Sequence, residues 1–289
     1  LEVNSNGRVE ILEFGHPPVH LYRRGDDFRI NREPVSLFDD MDKTVYRSSV
    51  VCESGDRIML FTESFTERFG GLENVNATMK KLLREDIGLS SRDLIRNAYE
   101  ASFELTELQA AGVSRRCFTA ASLFLRKPRK LLVATGAPFD KEKDPFLAKR
   151  TAAFEGKKAI CGGTTAAIIS RELDRHMAPE VSQPGAAQLP TMVMEGIDLI
   201  SEGTITLGRV VSILEYGIGD DFYPHGAAEQ LVALMLNSDL IRFIVGTRIN
   251  ETHQDPNLPA ELDIRRNVVR RISRLLRERY LKEVSTEFI

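Results

Sequence analysis

The chain has 289 residues, which at ordinary domain sizes is enough for two domains. Its 39 Lys and Arg face 42 Asp and Glu, for a formal net charge of -3. That balance excludes a global electrostatic drive toward DNA, RNA or anionic lipid, and no apolar run reaches the roughly 18 residues of a membrane helix. The remaining composition is that of a folded, soluble, cytoplasmic protein, with no low-complexity tract. The opening "LEVNSNGRVEILEF" lacks the basic-then-apolar layout of a signal peptide. It also lacks an initiating Met and enters a strand almost at once, so a fragment missing its N-terminal part is expected. Cys52, Cys117 and Cys161 are odd in number, far apart and set among apolar residues. They form neither a zinc spacing nor a disulfide framework, and read as buried small hydrophobes in a reducing compartment.

In chain order, "RVEILEF" alternates as a half-buried strand does, and Pro17 and Pro18 end it. "VHLYRR", the turn "RGDD" and "FRI" make a hairpin meander. "TVYRSSVVC" is a further strand, "ESGD" a turn, and "RIMLFT" a strand apolar enough to lie inside a sheet. A helical pattern follows in "NATMKKLLRED", with Asn74 or Asn76 as its cap. In "SSRDLIRNAYEASFEL" a Ser cap is followed three residues later by an acid. Leu94, Ala98, Phe103 and Leu105 of that helix can face a core. "CFTAASLFLR" returns as a strand. The first half is therefore α+β, an antiparallel sheet with two helices.

A basic hinge, "KPRK", follows, and the domain boundary is expected there, giving 1–126 and 127–289. Beyond it "LLVATG", "KEKDPFLAKRTAAF", "KKAICGG" and "TTAAIISRELDRHM" alternate strand and helix, which argues for a parallel sheet. Then come the loop "APEVSQPGAAQLP", the strand "TMVMEG", the helices "TLGRVVSILEYG" and "HGAAEQLVALMLNS", and the strand "IRFIVG". A polar segment, "TRINETHQDPNLPAEL", precedes the last helix and a closing strand "EVSTEFI". In that helix Ile264, Val268, Ile272, Leu275 and Leu276 make an apolar face, and Arg265, Arg266, Arg270, Arg274 and Arg277 lie elsewhere on a solvated basic surface. The fold class is α/β with a partly parallel sheet in its second domain.

The order of "VEILEFGHPPVHLYRRG", "GDRIMLFTESFTE", two helices and "SRRCFTAASLFLR" resembles the C-terminal part of a bacterial metal-dependent serine/threonine phosphatase domain of the SpoIIE type, in the PPM superfamily. The resemblance covers about the first 126 residues, and segments of the second half are similar to an extension carried by some members. It implies an α-β-β-α sandwich, incomplete here, and a two-metal hydrolysis using Mg or Mn. Two cations neutralise a phosphate and generate hydroxide near neutral pH, and such hard cations demand oxygen ligands. Where the family has Thr-Asp-Gly, this chain has Thr62-Glu63-Ser64. Where the family opens its last strand with acids, this chain has Arg115 and Arg116. Glu displaces the carboxylate by a methylene, Ser64 adds a Cβ, and a guanidinium has no acceptor atom for a cation. The expectation is that this chain holds no catalytic metal and that Glu63 pairs with Arg115 or Arg116.

In the second half "ICGGTTAAIISREL" runs a strand into Gly162-Gly163 and a helix from Thr164-Thr165. Backbone N–H groups at such a turn, backed by the helix dipole, can hold a phosphate or carboxylate. No Lys follows the glycines, so it is not a Walker loop. The plainer reading of the same residues is a tight β-to-α turn with a Thr cap. Asp39, Asp40 and Asp42 in "FDDMDKT", Asp220, Asp221 and His225 in "GDDFYPHG", and His253 with Asp255 in "NETHQDPNLP" read as solvated loops. The last of these is long enough to close over the Gly162–Thr165 turn. His16 and His20 read as meander residues.

Two functions are expected from these features. One is a SpoIIE-type protein phosphatase in bacterial signalling, degenerate or truncated in this chain, acting on a phosphoprotein. The other is a non-catalytic regulatory protein that binds partners and senses a small anionic ligand through its second domain. Neither involves nucleic acid or membrane. An exposed sheet edge in the first half argues for a homodimer.

Overall fold

The computed structural model describes residues 1–4, 6–15, 17–35, 44–107, 119–179, 192–217, 226–248 and 261–289, with backbone alone for 104–107 and 261–263. The chain forms two compact units, Leu1–Lys127 and Pro128–Ile289. Among the described residues no helix is long and apolar enough to cross a membrane.

The first unit contains β1 (Glu2–Val3), β2 (Arg8–Phe14), β3 (His20–Arg23), β4 (Asp26–Phe28), β5 (Glu33–Val35), β6 (Val45–Val51) and β7 (Arg57–Phe61), then α1 (Glu63–Arg68), α2 (Leu72–Glu85), α3 (Ser91–Glu107) and β8 (Ala120–Phe124). These strands make two antiparallel sheets, β1-β2-β6-β5 and β4-β3-β7-β8. Side-chain alternation then builds three layers. Val9 and Ile11 of β2 meet Leu21 of β3 and Ile58 of β7 between the sheets. The next residues along, Tyr22 and Met59, face the other way and pack with Phe61 against Phe65, Phe69, Val75, Met79, Leu83, Leu94 and Ala98 of the helical layer. Each such fully buried side chain contributes about 1.5–3 kcal/mol of transfer free energy.

Local details differ from the sequence expectation. Ser90 caps α3 as expected: the Asp93 amide donates to Ser90 Oγ at 3.0 Å, and Ser90 Oγ donates to Asp93 Oδ2 at 2.6 Å. By contrast α2 starts before Asn74 and Asn76, on Gly71, because Val75, Met79 and Leu83 form its buried stripe. Asn74 Nδ2 instead donates to the Phe69 carbonyl at 2.8 Å, and Asn76 Oδ1 accepts from the Tyr22 hydroxyl at 2.5 Å. Phe103 is 44 % exposed, with its ring edge-on to Tyr99, so it does not join the core with Leu94 and Ala98.

The second unit contains β9 (Lys130–Thr135), a 3-10 turn (Lys141–Lys143), α4 (Asp144–Ala152), β10 (Lys157–Cys161), α5 (Gly163–Leu173), β11 (Met177–Pro179), β12 (Met192–Met194), β13 (Ile197–Ser201), α6 (Thr204–Tyr216), α7 (Ala227–Leu236), β14 (Leu240–Val245), α8 (Glu261–Tyr280) and β15 (Glu283–Phe288). The strands form one sheet in the order β11-β12-β13-β10-β9-β14-β15. Five neighbours, β13, β10, β9, β14 and β15, run parallel, and β11 and β12 add an antiparallel edge. The strand β13 corrects the sequence reading, which passed from "TMVMEG" to a helix without it. Five residues between a turn and a helix cap carry too little periodicity to separate a buried strand from a loop. The helix after β10 also ends earlier than expected, at Leu173, where Asp174 adopts a left-handed conformation.

Residues of one parity on β9, β10 and β14 pack under α6, α7 and α8, around Val133, Phe243, Leu207, Leu231 and Leu276. Residues of the other parity pack under α4 and α5, around Leu132, Ile160, Leu147 and Ile169. Helices thus cover both faces of a doubly wound sheet. In α8 the buried face is Val269, Ile272, Leu275 and Leu276, while Ile264 is 38 % exposed.

One buried charge ties the first unit together. Arg57 of β7 is 1 % exposed and lies 3.7 Å over the Phe124 ring. Its Nη2 donates to the Ile87 and Leu89 carbonyls of the link between α2 and α3. Arg57→Ala is expected to lower stability by about 2–4 kcal/mol, through the lost stack, the lost carbonyl bonds and the cavity left behind. Urea unfolding followed by far-ultraviolet circular dichroism measures it.

Candidate functional site

Glycine ends the parallel strands at one edge of the second unit. Gly136 follows β9, Gly162 follows β10, Gly203 lies two residues beyond β13, and Gly246 follows β14. A Cβ on Gly136 would lie 2.7 Å from the Gly246 carbonyl oxygen and 2.8 Å from Arg265 Nη1, and its φ of 83° also favours glycine. A Cβ on Gly246 would collide with the Ala137 carbonyl. The backbones after β9 and β14 therefore pass each other at a distance that no side chain permits. The strand order diverges between these two strands, and the crevice at the carboxyl ends there is where open α/β sheets bind ligands.

A cavity of about 340 Å³ occupies this edge. Gly136 and Ala137 form part of its wall, and Arg248 after β14 and Arg265 of α8 stand over them. Cys161 and Gly162–Thr165 bring in the start of α5, and Glu202–Ile205 bring in the start of α6. The N-caps are Gly162 and Gly203, and neither helix has a side-chain cap or an acid in its first turn. Their leading N–H groups and dipoles are therefore uncompensated from within the helices. The Thr135 side chain is fully buried and its Oγ1 has no hydrogen-bond partner. It shares the sheet face of Leu131 and Val133, the face from which α6 and α8 approach. Thr204 Oγ1, on the cavity wall, is also buried without a partner.

Arg248 is held in place from behind. Its Nη2 lies 3.4 Å from Asp144 Oδ1, and its amide donates to the Ala137 carbonyl at 3.1 Å. Asp144 is 3 % exposed, and its other oxygen accepts from Arg171 Nη2 at 2.8 Å. The carboxylate thus bridges two guanidiniums and turns one toward the cavity. Cys161 lines the same cavity as an inert thiol: burial raises its pKa to about 11, partly opposed by a hydrogen bond with Ser201.

A second cavity, of about 530 Å³, opens at the amino end of the strands. Of its cations Lys130, Arg150 and Arg242, Arg150 is paired with Glu287 at 2.6 Å, and Glu155 and Glu283 also line it. The carboxyl-edge crevice differs in being lined by two helix N-termini.

The predicted turn Gly162, Gly163, Thr164 and Thr165 lies in this crevice. Gly136, Glu202, Gly203, Thr204, Arg248 and Arg265 escaped the sequence reading, and Arg265 is a cavity residue, not part of a solvated basic face. The available signal was repetition, a strand followed by glycine in "VATG", "AICGG", "LISEG" and "FIVG". Glu63, by contrast, is an exposed first-turn residue of α1. Its neighbour Thr62 closes the strand end, accepting from the Thr119 amide at 3.0 Å and donating to the Thr119 carbonyl at 3.1 Å, and Ser64 Oγ lies 3.3 Å from Thr62 Oγ1. Among the described residues no group of three or more His, Cys, Asp or Glu could hold a metal ion. The described surroundings of Glu63 do not fit the Mg or Mn pair that the family resemblance implies, and its carboxylate complements the helix N-terminus instead. Arg115, Arg116, Cys117, His16, the acids at 39, 40 and 42, and the groups at 220, 221, 225, 253 and 255 lie outside the described residues. His20 Nδ1 sits 3.3 Å from Asp27 Oδ1, within the hairpin.

No family model matches the sequence, and no curated protein matches it. Among solved structures the chain is similar to the phosphatase domain of the cell fate determinant SpoIIE from Bacillus subtilis. The identity is 16 %, over 44 % of this chain and 56 % of that domain, with a TM-score of 0.32. A manganese-presoaked form of the same domain matches at 16 % over 43 % and 54 %, also with a TM-score of 0.32. The chain thus spans about half the length of the solved domains it matches.

Native Cys161 is expected to resist a thiol reagent at pH 8, where a thiol with a pKa near 11 is protonated and the side chain is 1 % exposed. It should become reactive on unfolding. Labelling followed by peptide mass spectrometry, with and without urea, checks this. Asp144→Asn should loosen Arg248 and weaken any anion held there by about 3- to 10-fold, as for loss of one charge-assisted partner.

Proposed function

We propose that this chain is a regulatory, partner-binding protein of the SpoIIE-like kind, whose second unit is a receptor for a small anionic ligand and whose first unit does not hydrolyse phosphate esters. The observation that carries the reading is the convergence of two uncapped helix N-termini and two arginines on one crevice. Donors held in place by backbone and packing favour an anion without reorganisation when it binds. The motif order of the first 126 residues supports the family assignment. The exposed first-turn position of Glu63 on α1 supports a non-catalytic role. A ligand signal from the second unit would reach a phosphoprotein or another regulatory protein bound by the chain.

Isothermal titration with inorganic phosphate tests the receptor. Saturable binding is expected, with Arg248→Gln weakening it by about 1.5–3 kcal/mol, the usual worth of a hydrogen bond to a charged group. Failure of phosphate and of larger anions to bind overturns it. Separately, the chain with manganese is expected to leave p-nitrophenyl phosphate intact. Manganese-dependent turnover abolished by Glu63→Ala overturns the non-catalytic reading.

A further inference from the structure

The crevice carries more positive character than one phosphate needs, and it is ordered across the sheet. Gly203 and Gly162 back onto each other: a Cβ on Gly203 would lie 3.5 Å from Gly162 Cα. The N-termini of α5 and α6 therefore make one donor floor over β10 and β13. The guanidiniums lie toward β9: Arg265 Nη1 against Gly136, and Arg248 held by Asp144 and the Phe139 carbonyl, both in the segment that follows β9. Two helix N-termini and two guanidiniums thus line one crevice. That set of donors suits two linked phosphoryl groups better than one.

Two further features describe the rest of the ligand. The cavity, at 340 Å³, has room for about ten waters, well beyond a bare phosphate. Glu202 lines the same cavity immediately before Gly203, at the β13 end. A carboxylate only accepts hydrogen bonds, so a ligand part lying there must donate, as a hydroxyl does. From the end of β13 to that of β9 the crevice thus presents an acceptor, then backbone donors, then cations.

We propose that the ligand is a sugar-linked diphosphate, with a nucleoside diphosphate as its simplest form. The ribose hydroxyls lie at Glu202, the first phosphate on the α5 and α6 N-termini, and the second on Arg248 and Arg265. The proposal rests on the anion-receptor reading and narrows it.

Titration of the full chain with orthophosphate, pyrophosphate, adenosine diphosphate and its 2',3'-dideoxy analogue tests it. Pyrophosphate should bind at least about tenfold tighter than orthophosphate, and adenosine diphosphate at least about threefold tighter than its dideoxy analogue. Arg248→Gln should weaken pyrophosphate more than orthophosphate and so reduce the advantage of pyrophosphate. Glu202→Gln should equalise adenosine diphosphate and its dideoxy analogue, a loss of preference that general destabilisation does not produce. Thermal melting of each variant confirms folding. Equal affinity for orthophosphate and pyrophosphate, or for the diphosphate and its dideoxy analogue, overturns this inference and leaves the anion receptor standing. Absence of binding by all four overturns both.

Discussion

The close passage of backbone at the carboxyl edge of the parallel sheet is the constraint on which the second unit depends. Gly136 and Gly246 cross where a Cβ on either would strike a neighbouring carbonyl. Because that crossing is tight, β9 and β14 stay paired to their last residues, with the Gly246 amide donating to the Thr135 carbonyl at 2.8 Å. Their loops then separate to opposite sides of the sheet and leave the crevice between them. Arg265 can lie on Gly136 for the same reason: no side chain stands in its way.

Electrostatics follows from that geometry. A crevice at the carboxyl ends of parallel strands receives the positive ends of the helices that follow them. Here α5 and α6 both start on glycine, which gives the backbone room but caps nothing. No side chain of either helix's first turn compensates those donors, and Arg248 is tied to a buried Asp144. Asp144 is neutralised by two guanidiniums, so a positive charge at the cavity is retained without an unpaired buried carboxylate behind it.

In the first unit the residues at the end of β7 serve structure. Thr62 bonds the Thr119 backbone in both directions and holds the end of β7 to the strand that follows α3. Glu63 then begins a short helix, and Phe65 within it and Phe69 at its end anchor the helical layer. The carboxylate stays at the surface because the core is built by the aromatic residues after it.

Much of the architecture was legible from periodicity. Alternation in "RVEILEF" and "RIMLFT", the Ser90–Asp93 cap and the strand–helix alternation after the hinge all correspond to described elements. What local sequence could not supply was position. Asn74 and Asn76 look like caps in a string, but burial of Val75 and Met79 places them inside α2. Strand β13 is too short to announce itself, and without it Glu202 and Thr204 have no place beside Gly162. Arg265 looks like one of several solvated arginines until the packing of α8 points it at Gly136. By itself the sequence determined most of the longer strands and helices, and that a glycine-rich turn opens α5, because these follow from local sterics and side-chain periodicity. Only the tertiary structure decided that four strand ends meet at one edge, because neighbours in a parallel sheet come from segments tens of residues apart and their contact is decided by packing on both faces.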